Sequence, residues 1–183
     1  MDTEHHHTLL PKRPMGVPMK VSVVVSAGLL LILLALNQPL HSSAAPQGMI
    51  SFQLAATAEQ AHAILRGWND SELTLARMAL WLDFLFIVAY LATLLQLTRL
   101  CTRDRPGVRE RMIARGVRVL FVVAGLSDAA ENIALLNNLG PATDSMSLTA
   151  SLLALTKYTG LMLGAAGLVI VRASRRHPLS PSA

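Results

Sequence analysis

The sequence predicts an all-α fold, a four-helix transmembrane bundle with an additional amphipathic helix in the first extracytoplasmic loop. Of its 183 residues, 52% are hydrophobic and 15% are charged, and the mean hydropathy is +0.46. An ordinary soluble domain has about a quarter of its residues charged. The apolar residues also fall into four blocks, each close to the length that spans a bilayer. These observations exclude a disordered tail protein and disfavour a soluble enzyme.

Each apolar block can cross about 30 Å of hydrocarbon as a helix of about 20 residues. The first block ends at Asn37-Gln38-Pro39, where proline stops the helical pattern. An alternative interpretation makes this block a signal peptide cleaved after Ala44, which leaves three spans. The predicted domain covers residues 19–172 between disordered cytoplasmic tails at 1–18 and 173–183, and its spans are 19–38, 75–99, 115–138 and 147–172.

The distribution of basic residues predicts the orientation of the chain. Of the 16 Lys and Arg residues, three lie before the first span or at its start, seven lie in or beside the loop predicted at 99–117, and three lie at the end of the last span or after it. By the positive-inside rule, both termini and this Arg-rich loop are expected to be cytoplasmic. The arginines would then face anionic lipid headgroups. We expect no nucleic-acid partner, because no aromatic residue is interleaved with the arginines.

Cysteine and histidine usage excludes several kinds of site. The chain has one cysteine, Cys101, so it forms no intrachain disulfide and no Cys-rich metal site. All six histidines lie outside the apolar blocks, so an intramembrane haem or di-iron centre has no candidate ligands. We therefore expect no metal and no cofactor.

The first loop contains a weaker helical signal in residues 52–68. Its apolar residues recur at steps of four and three, which is the spacing of an amphipathic helix; they are Leu54, Ala58, Ala61, Leu65 and Trp68. Such a helix can lie flat on the outer leaflet or pack as a cap on the bundle. Both arrangements predict the same periodicity, so the sequence does not choose between them.

Five ionic or amide side chains lie inside the predicted spans and away from the span ends: Asp83 in the second, Asp128, Glu131 and Asn132 in the third, and Lys157 in the fourth. Each acid or lysine near the middle of a span costs about 2.5–3.5 kcal/mol to insert. A rise of about 1.5 Å per residue places Asp83, Glu131 and Lys157 roughly 9–12 Å below the outer edge, and Asp128 at about 15 Å. The charges are therefore expected to meet in one layer of the outer leaflet.

The third span carries most of this polar layer on one face, because offsets of three and four residues are neighbours on a helix. Three carboxylates against one ammonium leave a surplus of negative charge in the membrane. At least one carboxylate, with Asp128 as the deepest, is expected to be protonated or neutralised by a bound cation. Tyr90 adds a hydroxyl nearby, so the candidate binding cluster is Asp83, Tyr90, Asp128, Glu131, Asn132 and Lys157.

Three stretches, AEQAHAILRGW, LARMALWLDFLFIVAY and LSDAAENIALL, together resemble a family of small bacterial integral membrane proteins with four helices. The pattern is a helix ending in Trp, then Asp-Phe-Leu-Phe-Ile with a Tyr, then Asp-x-x-Glu-Asn, then a Lys in the last span. It falls here on Trp68, Asp83, Tyr90, Asp128, Glu131, Asn132 and Lys157, and it covers roughly residues 20–172. The resemblance implies a bacterial inner-membrane location and no reaction, because the function of the family is unknown.

The polar layer permits one structural interpretation and three functional ones. A buried ion pair can simply fix helix register and partner choice, but a surplus of acid over base favours a functional cavity. The first function is binding of a lipid or small amphiphile, with the amphipathic loop segment as a lid. The second is metal-independent acid–base catalysis on an isoprenoid or acyl lipid. The third is a proton-coupled or assembly subunit, acting as a homo-oligomer or pairing its charges with a membrane partner.

Overall fold

The computed structural model describes residues 16–102 and 107–173, and every regular element in these two stretches is helical. Four of the helices are long and apolar enough to cross a membrane. This confirms the predicted all-helical architecture with four candidate spans, which is that of a multi-pass membrane protein. The elements in order are α1 (Val17–Asn37), a 3₁₀ turn (Gln38–Leu40), α2 (Met49–Gln53), α3 (Ala58–Arg66), α4 (Asp70–Thr102), α5 (Val108–Asn138) and α6 (Asp144–Ala173).

The long helices extend beyond the predicted spans. The span predicted at 19–38 corresponds to α1, and those predicted at 75–99, 115–138 and 147–172 lie inside α4, α5 and α6. Most residues of the two predicted tails lie outside the described part of the chain. The exceptions are Gly16, which precedes α1, and Val17, Pro18 and Ala173, each of which belongs to a helix.

The prediction of a loop over residues 99–117 is wrong for most of that segment. Helix α4 continues to Thr102 and α5 begins at Val108, so the segment is largely helical on both sides of residues 103–106, which are not described. The hydropathy falls in this segment, which predicts the end of membrane burial. It does not predict the end of a helix, because a helix can continue into water. Arg, Glu and Met are all good helix formers, and the sequence RERMIARG therefore extends α5 beyond its apolar part.

Helices α5 and α6 share the most extensive contact in the bundle, and α4 packs between α1 and α5. Glycines in α6 allow the close approach, because a Cβ at Gly160 would lie 3.2 Å from the backbone oxygen of Leu120. Helix α1 packs on α4 and makes few contacts with α6. Side-chain hydrogen bonds join α1 to α4, with Ser26 Oγ 3.0 Å from Thr93 Oγ1. The bundle is therefore open between α1 and α6.

One end of the bundle, here called the capped end, is covered by the 3₁₀ turn, α2 and α3. The single helix predicted over residues 52–68 is not confirmed, because α2 and α3 are separate short helices. Helix α3 buries Ala61 and Ile64 in a core cluster that contains Leu80 of α4 and Leu135 of α5, whereas Leu54 is exposed. The segment therefore packs as a cap on the bundle, since its apolar face is already covered by other helices.

Trp68 fixes the cap to the bundle. Its indole Nε1 donates a 2.8 Å hydrogen bond to the backbone oxygen of Leu40, and its ring lies 5.6 Å from that of Phe52. We expect Trp68→Phe to lower the free energy of unfolding by about 1–3 kcal/mol, because the buried Leu40 oxygen loses its donor. Thermal unfolding in detergent, followed by circular dichroism, measures this loss.

The other tryptophan provides the matched control. Trp81 is 64% exposed on the outside of α4, so Trp81→Phe removes the same atoms without removing a buried hydrogen bond. The midpoint temperature of thermal unfolding of Trp81→Phe should stay near that of the unaltered chain. Equal midpoints for the two variants would contradict the anchoring role of Trp68.

Candidate functional site

A network of charged and polar side chains joins α4, α5 and α6 inside the bundle. Lys157 Nζ of α6 lies 3.0 Å from Asp128 Oδ1 and 2.7 Å from Glu131 Oε2, both on α5. Tyr90 of α4 donates a 3.0 Å hydrogen bond from its hydroxyl to Asp128 Oδ2. The charges that were expected in one layer therefore meet, and each of the three helices contributes to the contact.

Asp128 and Glu131 differ in how well their oxygens are satisfied. Asp128 accepts hydrogen bonds from Lys157 and from Tyr90, one on each oxygen. Glu131 is 0% exposed, and its Oε2 lies 2.7 Å from Lys157 Nζ, whereas Oε1 has no hydrogen-bond partner among the described residues. The ammonium is therefore shared between the two acids, and one Glu131 oxygen is left unsatisfied.

Asp83 and Asn132 form a second pair in the same layer. The Asn132 Nδ2 group donates a 2.7 Å hydrogen bond to Asp83 Oδ2. Asp83 makes no ion pair with Lys157 among the described residues, so both ion-pair partners of the lysine lie on α5. An ionised carboxylate only accepts hydrogen bonds, so the amide must turn its nitrogen toward Asp83. Its oxygen, Asn132 Oδ1, is then buried with no hydrogen-bond partner in the described chain.

These groups lie at the polar side of a cavity of about 480 Å³. Small-molecule sites in proteins commonly have volumes of about 300–1,000 Å³ and mostly apolar walls. Five members of the predicted cluster, Asp83, Tyr90, Asp128, Asn132 and Lys157, line the cavity. Glu131 does not, so its place is behind Lys157 as a counter-charge and not in the wall.

Part of the apolar wall comes from helices outside the charged network. Helix α1 contributes leucines at 30, 33 and 34, and α2 contributes Met49 and Ile50. Both α1 and α6 line the cavity, yet they make few contacts with each other. The cavity is consequently bounded by helices on its α4 and α5 sides and lacks a continuous wall between α1 and α6.

Sequence reasoning missed the polar contacts that place α2 over the cavity. Tyr158 donates a 3.1 Å hydrogen bond from its hydroxyl to Gln53 Oε1, and Ser151 Oγ donates to the Gln53 backbone oxygen at 3.2 Å. The Tyr158 ring also lies 4.8 Å from Lys157 Nζ. Tyr158 follows Lys157 directly in the sequence, which marks it as a nearby donor or acceptor, but its contact with Gln53 has no such signal. No pattern in the sequence marks Gln53, because the sequence does not show which residues of the loop lie over the cavity.

Phe86 is another residue of the site that the sequence did not identify. An aromatic residue inside an apolar span more often faces lipid or packs in the core than lines a ligand site. In the structure Phe86 lines the cavity, with its ring 5.2 Å from that of Tyr90. Asp83, Phe86 and Tyr90 follow one another at helical spacings of three and four, and this spacing is the signal that would have grouped them.

The arrangement can hold a polar group at its base and an apolar group along α1. The Lys157 ammonium is already shared by two carboxylates, so it offers little to an incoming anion. The acceptors on Asp83 and Asn132 remain more available than any donor. Comparison of the chain with protein-family models, with curated proteins and with solved structures found no match. Its function is therefore inferred from the geometry of this site.

Proposed function

We propose that the chain is a multi-pass inner-membrane protein with cytoplasmic termini, and that its cavity binds a lipid or small amphiphile. The observation that carries this proposal is a largely apolar cavity with a charged base, left without a helical wall between two membrane-facing helices. A ligand of matching polarity has an apolar tail and a polar head. Such a molecule can enter from the bilayer without crossing water.

The proposed orientation rests on the arginines. At the end opposite the cap, the described helices carry six of them, at 99, 109, 111, 115, 118 and 172. The capped end carries Arg66, with Arg77 slightly further along α4. The positive-inside rule then assigns the capped end to the extracytoplasmic side and the Arg-rich end to the cytoplasm. The cavity and its charged base accordingly belong to the outer half of the membrane.

The helix that would act as the lid is α2, and not the amphipathic helix expected over residues 52–68. Helix α3 does not contribute to the cavity wall, whereas Met49, Ile50 and Gln53 of α2 do. The start of α2 is fixed to the end of α1, because the Met49 backbone N–H donates a 2.7 Å hydrogen bond to Asn37 Oδ1. Gly48 makes this turn possible, since its φ is +60° and a Cβ there would overlap Asn37. Helix α2 thus roofs the cavity, and α3 packs behind it.

The self-contained charge network supports ligand binding over assembly through unpaired charges. Lys157 finds both of its carboxylate partners within the chain, on α5. A subunit that used its acids to recruit a partner helix would leave them facing outward, but Asp128 and Glu131 are both buried here. Asp128 and Glu131 therefore already have a counter-ion within their own chain.

Blocking the cavity tests the proposal. Leu34 lines the cavity from α1, and Leu34→Trp places an indole where we expect the ligand tail. Leu31 is on the same helix, exposed and outside the cavity wall, so Leu31→Trp is the matched control. We expect Leu34→Trp to reduce the lipid retained by the purified protein on the order of tenfold, equivalent to about 1.4 kcal/mol.

Mass spectrometry of lipids extracted from equal amounts of the two variants measures this difference. Leu31→Trp should retain as much lipid as the unaltered chain. Equal retention by both variants would show that the retained lipid binds elsewhere, and the proposed cavity function would then be wrong.

A further inference from the structure

We propose that the headgroup taken by the cavity is a protonated amine that still carries N–H donors, held by Asp83 and Asn132. This inference rests on the proposed function and specifies the ligand of the same site. It follows from three features of the cavity: a surplus of negative charge, two acceptor groups whose hydrogen bonding is incomplete, and an aromatic side chain next to them.

The first feature is charge. The layer contains three carboxylates, on Asp83, Asp128 and Glu131, against the one ammonium of Lys157. Lys157 is within ion-pair distance of two of them, so its charge is already matched. An anionic headgroup would add to a negative surplus in a medium of low dielectric constant, where uncompensated charge is costly. A cationic headgroup reduces that surplus.

The second feature is the set of open acceptors. Asp83 receives one hydrogen bond within the described residues, from the amide of Asn132, and its carboxylate is only partly buried. Asn132 Oδ1 has no donor and its residue is 0% exposed, which is a costly state for a buried amide oxygen. Both residues line the cavity. A headgroup with N–H donors satisfies these acceptors, whereas a quaternary ammonium has no hydrogen to give.

The third feature is the aromatic side chain beside Asp83. Phe86 lines the cavity one helical turn after Asp83 and packs against Tyr90. A cation near an aromatic face gains on the order of 0.5–2 kcal/mol. The Tyr158 ring already lies close to Lys157, so Phe86 and the adjacent Tyr90 are the aromatic residues of the cavity wall that remain for a ligand cation.

A headgroup series on the full-length protein tests the inference. The protein in maltoside micelles is incubated with equal amounts of tetradecylamine, tetradecanol, tetradecanoate and tetradecyltrimethylammonium. Retained ligand is then measured by native mass spectrometry. We expect the primary amine to be retained on the order of tenfold more than each of the other three, equivalent to about 1.4 kcal/mol.

Asp83→Asn is the matching variant, because it removes the charge and keeps the shape of the side chain. It should abolish the preference for the amine. Asp70→Asn is the control, since Asp70 is an exposed acid at the start of the same helix and outside the cavity wall. That variant should keep the preference. If Asp83→Asn does not fold, the headgroup series on the unaltered chain still decides the question.

The outcomes separate the two proposals. Retention of all four compounds to the same extent would overturn the amine headgroup and leave amphiphile binding intact. Retention of none of them would overturn the proposed function itself. Quaternary ammonium retained as well as the primary amine would overturn the donor role assigned to the N–H groups.

A final arm identifies the source of the amine. Nanodiscs of mixed phosphatidylethanolamine and phosphatidylglycerol are used to reconstitute the protein, and the lipids that remain bound after detergent extraction are compared. Enrichment of phosphatidylethanolamine identifies a lipid headgroup as the ligand. No enrichment, together with retention of tetradecylamine, identifies a free long-chain amine.

Discussion

Replacing Lys157 with methionine is expected to prevent correct insertion or to unfold the bundle. The substitution leaves Asp128 and Glu131 buried side by side on α5 without their cation. Removing one partner of a buried ion pair typically costs about 3–5 kcal/mol, because the remaining charge is uncompensated. The monodisperse yield in fluorescence-detected size-exclusion chromatography should fall close to background.

A compensated variant tests whether the loss is electrostatic. Combining Lys157→Met with Asp128→Asn and Glu131→Gln removes the two acids together with the lysine. Replacing a whole buried ion group is often close to neutral for stability, so the yield should recover substantially. A Lys157→Met variant that folds as well as the unaltered chain would contradict the assignment of Lys157 as the counter-charge.

Gly164→Leu is expected to have the second largest effect, by separating α5 from α6. A Cβ at this position would overlap the ring of Phe121, which is itself buried among Val117, Leu168 and Val171. Overpacking of a well-packed core typically costs about 1–3 kcal/mol and occasionally more. We expect a loss of about 3 kcal/mol, since this contact joins the two most extensively packed helices. Thermal unfolding in detergent measures it.

Gly28→Leu is the matched control, because a Cβ at Gly28 of α1 has no atom within 4 Å. It should leave the midpoint nearly unchanged. Adding Phe121→Ala to Gly164→Leu removes the ring and should restore part of the loss. If Gly164→Leu and Gly28→Leu unfold at the same temperature, the close approach at Gly164 does not determine packing.

The location of the charged layer was predictable from the sequence, but its pairing was not. Counting residues from the span ends placed Asp83, Glu131 and Lys157 at similar depths, because the rise of a helix is nearly constant. Depth does not fix rotation about the helix axis. The sequence therefore could not determine that Lys157 takes both of its partners from α5, or that Asp83 pairs with Asn132 instead.

The cavity depends on information that no local pattern carries. Its roof consists of α2, a five-residue helix that was expected to be part of a longer amphipathic segment. The position of Gln53 over Tyr158 requires the loop to turn at Gly48, and a single positive-φ glycine is not distinguishable in sequence from an ordinary flexible one. The position of α2 over the cavity is therefore set by packing between segments that are distant in the sequence.

The separate placement of charges and apolar wall has an evolutionary consequence. The ionic network is held by α4, α5 and α6, whereas three leucines of the cavity wall, at positions 30, 33 and 34, belong to α1, which packs chiefly on α4. Substitutions at these three positions can change the shape of the apolar wall while leaving the ionic network unchanged. Under the proposed function, selection could therefore alter the fit to the apolar part of a ligand separately from the fit to its polar part.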